Sequence, residues 1–60
     1  MTMTMTETAD FAAERRAWFH HELKTAVDQG DTLEIEYNAN RLTYWITVET
    51  DARKAAEVTA

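Results

Sequence analysis

Residues 31–49, DTLEIEYNANRLTYWITVE, constrain this chain more than any other stretch, because apolar side chains recur there at every second position. Leu33, Ile35 and Tyr37 alternate with polar residues on one side of the Asn38-Ala39-Asn40-Arg41 segment. Leu42, Tyr44, Ile46 and Val48 do the same on the other. A period of two puts one set of side chains on one face of a strand. The spacing predicts an antiparallel β-hairpin over 31–49, turning at 38–41, where two asparagines tolerate left-handed backbone. In that register Tyr37 faces Leu42, Ile35 faces Tyr44 and Leu33 faces Ile46. A slip of one residue would set apolar against polar throughout. The back face carries Glu34, Glu36, Thr43, Trp45, Thr47 and Glu49.

Ahead of the hairpin the pattern is helical. Over 8–29, Ala12, Phe19, Leu23 and Ala26 share a stripe at 100° per residue, with Val27 on one flank and Phe11 and Trp18 on the other. Thr8 or Asp10 can cap this helix, and Gly30, the single glycine, sits where a left-handed residue would end it. After the hairpin, residues 51–59 read as a short Ala-rich helix capped by Thr50 or Asp51. The repeat MTMTMT at the start points to a disordered segment over 1–7, with a short strand or an appended leader as the alternatives. The expected fold is therefore α+β in the order α-β-β-α: one domain over 1–60, with a long N-terminal helix packed on an antiparallel β-hairpin and a short C-terminal helix.

Sixty residues stand at the lower limit of independent folding, and without cysteine there is no disulfide to help. A lone hairpin is marginal and both its edges would be open. Extra burial through a homodimer is expected. No segment approaches the roughly 20 apolar residues of a membrane span, and no signal peptide is evident. The absence of cysteine fits a cytoplasmic location.

Eleven acids against six bases give a net charge of −5. Direct nucleic-acid binding needs clustered Lys and Arg, so the sign argues against it. Catalytic constellations are equally wanting. His21-Glu22-Leu23-Lys24-Thr25 has Thr where a zinc protease helix carries its second His. The adjacent His20 diverges from His21 by about 100°. No serine or cysteine offers a nucleophile, and one glycine cannot build a phosphate loop. Glu34 and Glu36 would share a strand face about 6.8 Å apart, but without a cleft they remain solvated acids. The expectation is a non-enzyme with no metal or other cofactor. The pair Arg15-Arg16 is expected to bridge to Glu14 or Glu22.

Two features point to binding. Trp45 projects from the back face of the expected hairpin, and an exposed Trp often anchors an interface. Asp28, Asp31, Glu34 and Glu36 follow one another with no base between Lys24 and Arg41, and Glu49 and Asp51 return beside them in the register. Carboxylates at two-residue spacing on a strand repeat on a scale similar to nucleic-acid phosphates.

In size, charge sign and layout, and on Asp28, Asp31, Glu34, Glu36, Glu49 and Asp51, the chain resembles the small acidic DNA-mimicking inhibitors of phages, including many anti-CRISPR proteins. The resemblance rests on no motif. It implies a non-catalytic inhibitor that presents its acidic hairpin face, with Trp45 as an apolar anchor, to a basic nucleic-acid-binding surface of a host protein. The alternative is a small structural or regulatory homodimer joined through the hairpin edge or the Trp45 face.

Overall fold

In the computed structural model, which describes residues 2–59, the chain is two antiparallel helices and nothing else. Helix α1 spans Met5–Gln29 and helix α2 spans Thr32–Thr59. No strand occurs among the described residues, so the expected α+β fold is replaced by an all-α hairpin. Residues 32–49 and 51–59 belong to one continuous helix, and residues 38–41, expected as a turn, lie in its interior.

Each boundary has a local cause. Thr4 caps α1: its side chain accepts the Glu7 N–H at 3.0 Å, and the Glu7 carboxylate accepts the Thr4 N–H at 3.1 Å. This reciprocal box satisfies two backbone donors that a helix start leaves unpaired. At the other end Gly30 takes the left-handed conformation anticipated for it, φ 67° and ψ 25°. Its N–H donates to Val27 O at 3.1 Å and the Asp31 N–H donates to Ala26 O at 3.1 Å. Together these close the last turn as a Schellman motif. Asp31 then caps α2, its Oδ1 accepting the Glu34 N–H at 3.2 Å. Only Gly30 and Asp31 separate the helices, so the chain reverses in a two-residue link.

The helices meet along seams with heptad spacing. On α1 the inward positions are Ala9, Ala12, Arg16, Phe19, Leu23 and Ala26; on α2 they are Ile35, Asn38, Leu42, Trp45, Glu49, Ala52 and Ala56. Steps of three and four residues alternate along both, the pattern that keeps one side of a helix against a neighbour. The core is thin. Ala9, Ala12, Phe19, Ala26 and Ala52 are its buried apolar residues, and no large side chain is fully enclosed. Alanines line the open end, while Phe19, Leu23, Leu42 and Trp45 fill the middle.

The physical reason for the corrected reading lies in those seams. Asn38 and Glu49 occupy inward positions, and they interrupt the apolar stripe that would have marked α2 as a helix. The alternating residues instead spread around its circumference, leaving Leu33, Tyr37, Tyr44 and Ile46 exposed. The β-branched threonines within α2 are accommodated by hydroxyl bonds one turn back, Thr43 to Ala39 O at 3.0 Å and Thr47 to Thr43 O at 3.1 Å.

Candidate interaction face

Five of the six aromatic residues of the chain make ring contacts along one long side of the hairpin. Phe11 meets the Trp45 ring edge-on with centroids 5.6 Å apart, Tyr44 meets Trp45 at 5.0 Å, and Phe19 meets Tyr37 at 6.4 Å. Trp18 lies seven residues after Phe11 on α1 and so shares its side of the helix. Two arginines lie among these rings. The Arg15 guanidinium sits 5.3 Å from the Phe19 centroid and 5.9 Å from that of Trp45. Arg41 sits 4.9 Å from Tyr44, 5.7 Å from Phe19 and 5.9 Å from Trp45. These separations suit cation–π attraction to ring faces.

Much of this surface is open. Phe11, Trp18, Tyr37 and Tyr44 keep 46%, 55%, 55% and 51% of their area exposed. The expectation for Arg15-Arg16 changes accordingly. Arg15 packs on aromatic rings, and Arg16 reaches across to α2, where its Nε donates to Glu49 Oε1 at 2.6 Å.

The residues expected to form an acidic face are not brought together. Asp28, Asp31, Glu34 and Glu36 crowd the closed end of the hairpin, all exposed and none in an ion pair among the described residues. Two of them have structural work: Asp31 caps α2, and Glu34 supplies the backbone oxygen that accepts Asn38 Nδ2 at 2.9 Å. Asp51 is exposed, but fifteen residues beyond Glu36 on the same helix it stands roughly 22 Å away at 1.5 Å per residue. Glu49 leaves the acidic surface altogether. Its side chain is 16% exposed and accepts from Arg16 and, at 3.2 Å, from Arg53 Nη2. The Arg16 hydrogen bond holds its pKa below the ordinary 4.5, against the upward push of burial and with further help from Arg53. Trp45 is half-buried in the seam, and its Nε1 is enclosed without a hydrogen-bond partner.

The surface has no pocket, and among the described residues no three His, Cys, Asp or Glu side chains converge on a point that would hold a metal ion. Among the described residues no helix is long and apolar enough to cross a membrane. What the arrangement offers chemically is a flat amphipathic surface: ring faces for apolar contact and guanidinium groups for carboxylates or further rings. Sequence reasoning placed Phe11 and Trp18 only on a helix flank, and it put Tyr37 and Tyr44 inside a hairpin core. The signal that unites them is a second heptad-spaced stripe on each helix, Phe11, Arg15, Trp18, Glu22 and Thr25 on α1, with Tyr37, Arg41, Tyr44 and Val48 on α2, broken at the exposed Asp51. No protein family, curated protein or solved structure matches the chain.

Proposed function

We propose that this protein is a non-catalytic interaction module, a helical hairpin that acts by docking its aromatic–arginine face onto another protein surface. The carrying observation is that four aromatic side chains, Phe11, Trp18, Tyr37 and Tyr44, each about half exposed, lie with Arg15 and Arg41 beside the buried Phe19 and half-buried Trp45. Aromatic residues and arginine are the types enriched in interface centres: the rings give large contact areas with few rotatable bonds lost, and the guanidinium stacks on rings and pairs with carboxylates. The test is a photo-crosslinking residue placed at Trp18, with the same residue at exposed His20 as the control. Adducts formed from position 18 and not from position 20 support the reading. Equal yields from both positions, or none from either, would overturn it.

A second reading keeps the acidic mimic in altered form. It is favoured by one observation: Asp28, Asp31, Glu34 and Glu36 are exposed at the closed end with no cation paired to them among the described residues. Here the closed end, rather than a strand face, would meet a basic nucleic-acid-binding surface. Glu34→Lys with Glu36→Lys abolishes binding to such a partner under this reading. It leaves binding intact if the aromatic face is the site.

A further inference from the structure

The aromatic face has an occupant whose chemistry is already defined by this chain. We infer that a second copy docks on it, antiparallel, so that the two hairpins form a four-helix bundle with their closed ends at opposite poles. The inference rests on the proposal that this face is an interaction surface, and it names the partner.

Three observations carry it. The first is the second seam on each helix. A helix in an isolated pair needs one heptad stripe, whereas a helix in a bundle of four contacts two neighbours and needs two. Both helices have a second stripe, over Phe11 to Thr25 on α1 and over Tyr37 to Val48 on α2, where the exposed Asp51 ends it, and a pair of hairpins supplies four helices with none left over.

The second is area. A folded monomer of 6.9 kDa is expected to expose about 4,000 Å², whereas this chain exposes 4602 Å². The excess of roughly 600 Å² per copy, taken over two copies, reaches the lower bound of about 1,200 Å² for a specific interface. The four half-exposed rings account for on the order of 100 Å² each.

The third is charge. When the α1 seam lies antiparallel against the same seam of a second copy, centred on Trp18, Arg15 of one copy comes level with Glu22 of the other. Arg15 is three residues before Trp18 and Glu22 four after it, a mismatch of about 1.5 Å along the axis. Arg41 packs over Phe19 and so lies at the level of this centre. The same two-fold axis therefore sets Arg41 of one copy near Tyr44 of the other. The seam is complementary to itself, as an isologous interface requires. Closed ends at opposite poles also keep the two sets of Asp28, Asp31, Glu34 and Glu36 apart, where a same-pole arrangement would crowd them together.

The experiment is sedimentation equilibrium of the full chain over a wide concentration range. Wild type is expected at twice 6.9 kDa. Trp18→Ala raises the dissociation constant roughly 30-fold or more, the size of a central aromatic anchor, with helical circular dichroism retained. Arg15→Glu and Glu22→Arg each weaken association roughly tenfold, and the double variant recovers most of the loss. A 6.9 kDa species at every concentration overturns the inference, as does a double variant no tighter than either single one. If the chain is monomeric yet crosslinks another protein from position 18, the second copy is refuted while the interaction face stands. Absence of both overturns both.

Discussion

Arg16 and Glu49 face each other across the middle of the hairpin, with Nε 2.6 Å from Oε1, and each occupies a seam position that an apolar side chain would ordinarily fill. The pair aligns the helices: a shift of α2 by one turn would leave Arg16 without its carboxylate, while Glu49 would keep only Arg53 of its own helix. Partly buried pairs of this kind define register more than they add stability, because desolvation offsets much of the attraction. Arg16→Leu, which removes one partner and leaves Glu49 in the seam, is expected to lower the melting temperature. Arg16→Leu with Glu49→Leu is expected to restore it to the wild-type value or above. A double variant clearly less stable than wild type would show that the pair is a net stabiliser.

The pH dependence follows from the same carboxylate. The Arg16 bond depresses the Glu49 pKa from its ordinary 4.5, so the folded state binds this proton less readily than the unfolded state. The resulting stability is present above 4.5 and is lost as pH falls through the depressed value. Thermal melts of Glu49→Gln should show a flatter pH dependence below 4.5 than wild type, and an unchanged slope there would remove Glu49 as a cause.

The reversal between the helices depends on backbone conformation at one residue. A Cβ on Gly30 would meet nothing within 4 Å, so substitution there acts through φ alone. Gly30→Ala is expected to cost about 1–2 kcal/mol. At the start of α1, loss of the Thr4 cap in Thr4→Ala costs about 1 kcal/mol. Chemical denaturation measures both.

Much of α1 was legible in the sequence, and so was its end at Gly30. The Thr4–Glu7 box was present as Thr-Met-Thr-Glu, but the repetition of MTMTMT obscured it. The second half misled for physical reasons. Isoleucine, valine, tyrosine, tryptophan and threonine favour strands locally, and the apolar alternation at 33, 35 and 37 and at 42, 44, 46 and 48 was regular. Packing on α1 overrode that preference. Two clues opposed the hairpin: no glycine or proline occupies 38–41, and the only glycine of the chain is spent at residue 30. Steps of three and four from Ile35 to Ala56 were also there to be read. Asn38 and Glu49 hid them, because their polarity is answered by Glu34 O and by Arg16 and Arg53, partners that only the folded chain supplies.

Trp45 carries a built-in defect. Its indole Nε1 is enclosed with no acceptor, an arrangement that costs about 1–3 kcal/mol. Trp45→Phe discards that donor while keeping a ring against Phe11, and its stability should fall within about 1 kcal/mol of wild type. Trp45→Ala removes the ring and is expected to lose about 3 kcal/mol. Equal losses in the two variants would mean that the indole N–H is satisfied.

The continuity of α2 decides between the two architectures this sequence can suggest, and backbone NMR assignment across residues 38–41 tests it most directly. Helical Cα shifts running unbroken through Asn38, Ala39, Asn40 and Arg41, with i to i+3 contacts on either side, are the expected result. Strand shifts flanking a turn at those residues, with a cross-strand contact between Tyr37 and Leu42, would contradict the helical hairpin and everything built on its faces.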